Sequence, residues 1–216
     1  MLAIAIGGLD LWKEVNINKN MEAAAGPEML KVFQAAADAR KLAAKSTVQD
    51  WNQATNLVIT GEAAGQIMGD WAQGEFQVAG QVAGTDYTCL PGMGVNEYIS
   101  TGGDAFYFPV NKDPEITAAQ KRLAALLVSP EVQVAFNLKK GSLPIRGDVD
   151  LSAANDCMKK GLAILAKGNI VPGGDMVWSP DVQTQLGDLQ VEFWKSQDMT
   201  PEVAQAQYVE ILSAGL

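Results

Sequence analysis

The chain has 216 residues, 48% hydrophobic and 19% charged, the composition of a folded globular protein large enough for a sizeable core. Its 25 acidic and 16 basic side chains give a formal charge of −9, which repels phosphate backbones and anionic membrane surfaces and argues against a nucleic-acid partner. Histidine is absent, so a histidine-based serine or cysteine triad is excluded and the commonest metal ligand is missing; carboxylate acid–base chemistry stays open.

No apolar run approaches the roughly 18–20 residues that span a bilayer, so direct membrane insertion is not expected. The opening Leu2-Ala3-Ile4-Ala5-Ile6 ends at Gly7-Gly8 and has no basic flank, so it does not read as a signal peptide. Gly26-Pro27-Glu28 opens a helix that carries Met29, Leu30, Val32, Phe33 and Ala36 at helical spacing and runs to about Ala44. Asp50 caps the next helix, with Gln53 at the capping-box position and Gly61 as its stop. Short apolar or aromatic runs predict strands over 63–68, 87–90 and 105–108, with the glycine-rich stretch 92–103 as a loop. Further helices are expected over 114–127, 130–140, 152–166, 180–196 and 201–213. Four of them begin alike, at Asp113-Pro114-Glu115, Ser129-Pro130-Glu131, Ser179-Pro180-Asp181 and Thr200-Pro201-Glu202. An oxygen acceptor stands at the N-cap, a proline where its missing N–H costs nothing, and a carboxylate at the positive end of the helix dipole. Helices interleaved with short buried strands imply an α/β fold.

The most unusual local sequence is Met68-Gly69-Asp70-Trp71-Ala72-Gln73-Gly74-Glu75-Phe76. Trp71 there is either a core tryptophan behind an N-cap aspartate or a flat stacking platform beside hydrogen-bonding carboxylates, which suits the apolar face and the hydroxyl ring of a sugar. Gly102-Gly103-Asp104 reads as ordinary turn chemistry or as a close backbone approach that offers Asp104 to two hydroxyls. In Lys139-Lys140-Gly141-Ser142-Leu143-Pro144-Ile145-Arg146, Gly141 stops a helix and Arg146 is presented on an extended stretch, for vicinal hydroxyls or for a surface ion pair. Trp178, after Pro172-Gly173-Gly174-Asp175, is a second stacking wall or a hydrophobic staple for the following helix. Trp12, Trp51 and Trp194 read as packing residues. Cys89 and Cys157 fit no metal-ligand spacing and are either two buried thiols or one disulfide. No phosphate-binding loop, dinucleotide fingerprint or nucleophile elbow occurs in the sequence.

The order Asp50-Trp51-Asn52-Gln53-Ala54-Thr55, Gly61-Glu62-Ala63, Met68-Gly69-Asp70-Trp71 and Gly74-Glu75-Phe76 resembles the family 1 extracellular solute-binding proteins. Phe136-Asn137-Leu138-Lys139-Lys140-Gly141-Ser142-Leu143-Pro144-Ile145-Arg146 and Asn155-Asp156-Cys157-Met158-Lys159-Lys160-Gly161 extend the likeness, which covers nearly the whole chain and is nearest to the glucose/mannose-type proteins of ABC importers. The resemblance implies a type II periplasmic binding protein fold, mainly the second lobe, with residues 1–91 and 130–216 in that lobe and residues 92–129 crossing back to the first. It implies a monosaccharide or small oligosaccharide in an interlobe cleft, membrane permease subunits as partners, and a periplasmic or extracellular, envelope-associated location. No cofactor, metal or catalysis is expected. Trp71 would stack on the sugar beside Asp70, Asp104 would bind hydroxyls, and Lys140 to Arg146 would line the cleft. Relatives often carry a histidine near the position of Trp178, and this chain has none. Cysteines near positions 89 and 157 recur in relatives, which favours a Cys89–Cys157 disulfide. Members of the family run to about twice this length. The competing expectations are a scaffold module that keeps the fold without a ligand and, at greater distance, a glycoside-acting enzyme using Asp70 or Asp104.

Overall fold

The computed structural model describes residues 2–43 and 47–216; the expected helix end at Ala44 and the side chain of Asp175 lie outside what it describes. The chain forms two compact units that interleave in sequence. The first comprises Met1–Lys45, Leu90–Gly102 and Ile164–Leu216, the second Ser46–Cys89 and Gly103–Ala163. The expected segment 92–129 is thus shared between them at Gly102.

The first unit holds α1 (Leu2–Asn16), α2 (Met21–Ala25), α3 (Pro27–Leu42), α9 (Pro180–Lys195) and α10 (Pro201–Ala214). The amphipathic α3 forms as its spacing predicts, and α10 packs against α2, α3 and α9. Val15, Ala24, Met29, Val32, Trp178, Val182 and Leu212 make the main core. Phe33 stands edge-on to Phe193 and to Tyr208, at centroid distances of 6.1 Å and 5.6 Å. The first segment is a helix that the sequence reading leaves unassigned: two stretches merge across a kink at Gly8, whose φ of 83° is open to glycine. Two short strands, β1 (Ile99–Thr101) and β2 (Ile170–Pro172), pair in parallel with Ile99 opposite Ile170.

The second unit holds α4 (Trp51–Ile59), α5 (Gln73–Val78), α6 (Pro114–Leu127), α7 (Pro130–Lys140) and most of α8 (Asp156–Ala166). The hydrophobic clusters of buried side chains found among the described residues all belong to the first unit. The second buries Ala72, Phe76, Ala154, Cys157 and Met158 and adds other devices. A Cys89–Cys157 disulfide spans 68 residues, worth about 4–5 kcal/mol in the chain-entropy model. Phe76 stacks on Tyr87 at 4.1 Å, and the buried Gln73 receives a hydrogen bond from Asn155 at 3.0 Å.

The proline-initiated helices form as expected. The side chains of Asp113, Ser129, Ser179 and Thr200 accept from the N–H groups of Glu115, Val132, Val182 and Val203. Gly61 and Gly141 take the left-handed conformation that ends α4 and α7, with φ of 80° and 81°. The helix expected from Ser152 starts at Asp156 instead, because Asn155 Oδ1 accepts from Met158 N–H and so caps it there.

The three predicted strands do not form. A strand is stabilised by a neighbour that takes its N–H and C=O groups, and apolar patterning alone does not provide one. Residues 63–68 are tied back to α4, with Ala63 N–H donating to the Leu57 carbonyl at 2.9 Å, Thr55 donating to Gln66 and Gln66 to the Trp51 carbonyl. Tyr87 makes an isolated bridge to Ala83. Residues 103–110 make no backbone–backbone hydrogen bond among the described residues and are exposed throughout. What is present is a mixed, helix-rich fold with few strands.

Candidate functional site

The last turn of a helix leaves carbonyl groups without intrahelical partners. At the end of α7 two glutamines of α5 fill this role: Gln77 Nε2 donates to the Leu138 carbonyl at 3.2 Å, and Gln73 Nε2 to the Gly141 carbonyl at 2.6 Å. The fit is close. A Cβ on Gly74 would meet the Lys139 and Lys140 carbonyls at 3.7–3.8 Å. A Cβ on Gly141 would lie 2.4 Å from Gln73 Cβ and 3.3 Å from the Asp70 carbonyl oxygen. Glycine at 141 therefore serves both the positive φ and the contact between the two segments.

This docking brings the Gly-Asp-Trp turn against the end of α7. Asp70–Ala72 form a single 3₁₀ turn directly before α5. The Asp70 carboxylate accepts from the Ser142 hydroxyl at 3.0 Å, so it faces the α7 terminus and makes no N-cap bond. Trp71 is 44% exposed, while Ala72 and Gln73 beside it are buried. Its ring lies over Gly69, where an added Cβ would come within 2.2–2.5 Å of ring carbons. The aromatic face is thus held by a packed glycine and still meets solvent. Lys140 pairs with Asp104, its partly buried ammonium reaching an exposed carboxylate, and the same nitrogen lies 5.8 Å from the centre of the Phe136 ring.

Four of the sequence-predicted residues, Asp70, Trp71, Asp104 and Lys140, therefore belong to the second unit and attach to the α5–α7 junction or its immediate continuation. Arg146 is in the same unit but engaged otherwise: its guanidinium pairs with Asp148 and donates to the Val128 carbonyl at 3.2 Å. The Asp148 hydrogen bond raises the Arg146 pKa, and the reverse contact lowers that of Asp148. Trp178 belongs to the first unit, 7% exposed and part of its main core. Its Nε1–H donates to Asn16 Oδ1 at 2.9 Å, and Lys19 Nζ sits 3.2 Å from a ring centre, where burial pushes the lysine pKa down. The sequence reading does not single out Gln73 or Ser142, whose contacts create the junction; a glutamine two residues after an unusual Asp-Trp pair was the available signal. Near the disulfide, Lys160 donates to the Thr88 hydroxyl at 2.6 Å and the Cys89 carbonyl at 3.3 Å.

Among the described residues no group of three or more His, Cys, Asp or Glu side chains is placed to hold a metal, and no helix is long and apolar enough to cross a membrane.

The α5–α7 junction thus sets an exposed aromatic face beside charged and hydroxyl groups. Comparison with known proteins shows the family. A family model described as bacterial extracellular solute-binding protein matches residues 1–166, and this chain belongs to that family. A probable sugar-binding periplasmic protein of Rhizobium meliloti is 37% identical over 164 residues, covering 75% of this chain and 39% of the relative. A protein of the same description from Mesorhizobium japonicum is 38% identical over 173 residues, covering 76% of this chain and 40% of the relative. An uncharacterized ABC transporter extracellular-binding protein of Pyrococcus horikoshii is 29% identical over 199 residues, covering 86% and 44%. The chain thus spans about two fifths of the length of the curated relatives it matches.

Proposed function

We propose that this chain is part of the substrate-binding component of an ABC sugar importer in the periplasm or at the outer face of the cell envelope. Its ligand is a monosaccharide or small oligosaccharide, and its protein partners are the importer's membrane permease subunits. In the whole protein this chain supplies most of the second lobe of a type II binding fold and a segment returning to the first. The observation that carries the reading is the exposed Trp71 ring held over Gly69 beside the Asp70–Ser142 contact. A pyranose offers an apolar C–H face to an indole ring, and its hydroxyls both donate and accept. Carboxylates of Asp70 and Asp104 accept from hydroxyls, and the Lys140 ammonium donates to them. Because Lys140 and Asp104 are already paired, a sugar bridging them would find opposite charges close together and arranged in advance.

The placement of Trp178 and Arg146 supports structural roles for both. The Trp178 ring is packed into a core and its N–H is satisfied, while the Arg146 fork is engaged by a neighbouring carboxylate.

Titration of the chain with a panel of monosaccharides and small oligosaccharides, followed by tryptophan fluorescence, tests the reading. One sugar class is expected to produce a saturable change. The Trp71→Ala variant should weaken that binding about thirtyfold or more, as loss of a buried aromatic anchor does. A saturable response that persists at unchanged affinity in Trp71→Ala would remove this site from the account.

A further inference from the structure

The Gln73 side chain is 4% exposed, so each end of its amide needs a partner of the right kind. The two ends are alike in shape and opposite in chemistry. Nε2 donates to the Gly141 carbonyl at 2.6 Å. Oε1 accepts from Asn155 Nδ2 at 3.0 Å and, more loosely, from the Tyr87 hydroxyl at 3.5 Å. Turned the other way, the amide would set Oε1 against the Gly141 carbonyl, two acceptors with no hydrogen between them. Asn155 decides which way it faces, and the orientation of Asn155 is itself fixed. Its Oδ1 accepts from the Met158 N–H at the start of α8, at 2.9 Å, which leaves Nδ2 to meet Gln73. A backbone N–H of α8 thereby sets Asn155, Asn155 sets Gln73, and Gln73 holds the Gly141 carbonyl.

That carbonyl belongs to the peptide plane between Gly141 and Ser142, so its direction governs where the Ser142 side chain stands, and Ser142 donates to Asp70. We infer that Asn155 is a positioning residue of the Trp71 site: it acts through Gln73, whose amide it orients so that the α7 terminus and the Asp70–Trp71 turn meet in one arrangement. The two donors to Gln73 Oε1 are tied as well. Tyr87 stands two residues before Cys89 and Asn155 two residues before Cys157, so the disulfide holds both to one acceptor. A buried amide paired at both ends stiffens its surroundings, which an exposed ring needs to stay in place. The inference rests on the sugar-binding reading for what the site does, and on the hydrogen bonds alone for how it is held.

Asn155→Asp isolates the relay. The carboxylate has nearly the same shape and still accepts from the Met158 N–H, so the α8 cap survives, but it has no hydrogen to give Gln73. The variant is compared in the whole chain and in a Gln73→Met background, which keeps the volume and already cuts the relay. One readout needs no sugar: the emission of Trp71, obtained by subtracting the spectrum of the matching Trp71→Ala protein. In Asn155→Asp it should move to longer wavelength and be quenched more readily by acrylamide, with an unchanged circular dichroism spectrum. The other readout is affinity for D-glucose and D-mannose, which should fall about tenfold. In the Gln73→Met background Asn155→Asp should change neither, because both residues act along one path. Unchanged Trp71 emission in Asn155→Asp overturns the inference, as does unchanged affinity in a chain that binds either sugar. So do effects as large in the Gln73→Met background as without it. If neither sugar binds the parent chain, the emission difference decides alone, and a shift that disappears in Gln73→Met supports the role of Asn155.

Discussion

Arg40 carries five N–H donors, and four of its hydrogen bonds end on main-chain carbonyls of one short stretch. Nη1 reaches Phe193 and Ser196 at 2.7 Å each, and Nη2 reaches Met199 at 2.9 Å and Gln197 at 3.3 Å. The guanidinium also lies over the Phe193 ring at 4.4 Å. A cation beside the carbonyl end of α9 is favoured by the helix dipole, and here it also ties α3 to the turn that leads into α10. Replacing it with methionine keeps most of the volume and strands these carbonyls; Arg40→Met should cost about 2–4 kcal/mol, read as a lower urea midpoint with an unchanged slope. Gly69 makes the opposite argument, from an atom that is absent. Its φ of −76° suits any residue, so Gly69→Ala meets no backbone strain, and the atoms its methyl group would meet first are ring carbons of Trp71. That variant should fold with near-normal stability, shift the tryptophan emission and weaken sugar binding. Normal emission with full binding would show that the ring does not depend on Gly69 for its position. The sequence makes Trp71 conspicuous, but it does not show Arg40, whose charge near a helix end is indistinguishable from an ordinary solvated arginine until its partners, more than 150 residues away, are in place.

At the scale of elements, the local chemistry that stops and starts helices reads directly from the sequence. The predicted spans over 114–127 and 130–140 coincide with α6 and α7, because cap, proline and acid act within one turn and need no distant partner. Strands are different. Residues 105–108 have the aromatic composition of a strand, yet the groups that would complete it lie outside the segment, and composition says nothing about whether they are present. The α1 helix escapes the sequence reading for a related reason: Gly7-Gly8 looks like a stop, and the chain bends at Gly8 and resumes. Tyr208 on α10 supplies a test of packing. Burial raises its hydroxyl pKa to about 12, above the value near 10 of an unfolded tyrosine. The neutral ring is the form the core favours, so its contribution is fully present below pH 10 and is lost as the pH climbs toward 12. The expected loss is about 2–3 kcal/mol, seen in denaturant midpoints across that range. Tyr208→Phe should flatten the decline, and an identical alkaline decline in the variant would assign the effect to other groups.

For the molecule as a whole, the two units are stabilised by different means, and this bears on where function can reside. The first unit has the apolar core clusters; the second has a disulfide, a stacked aromatic pair and a glutamine-centred junction, and it carries Asp70, Trp71, Asp104 and Lys140. The family was legible in the order of short motifs, and so was the general position of the candidate site, since unusual residue types stood in compact stretches. How those stretches meet was not legible, because it depends on Gln73 and Gln77 reaching the terminus of α7, a long-range contact between residues common in any sequence. The central claim is that the Trp71 face of the second unit recognises a sugar. Isothermal calorimetry of the chain and of its Trp71→Ala and Asp104→Asn variants against the same sugars tests it most directly. The account predicts one saturable site per chain, with affinity reduced about thirtyfold or more in Trp71→Ala and about tenfold or more in Asp104→Asn. Absence of heat with every sugar, or the same heat and affinity in all three proteins, would contradict it.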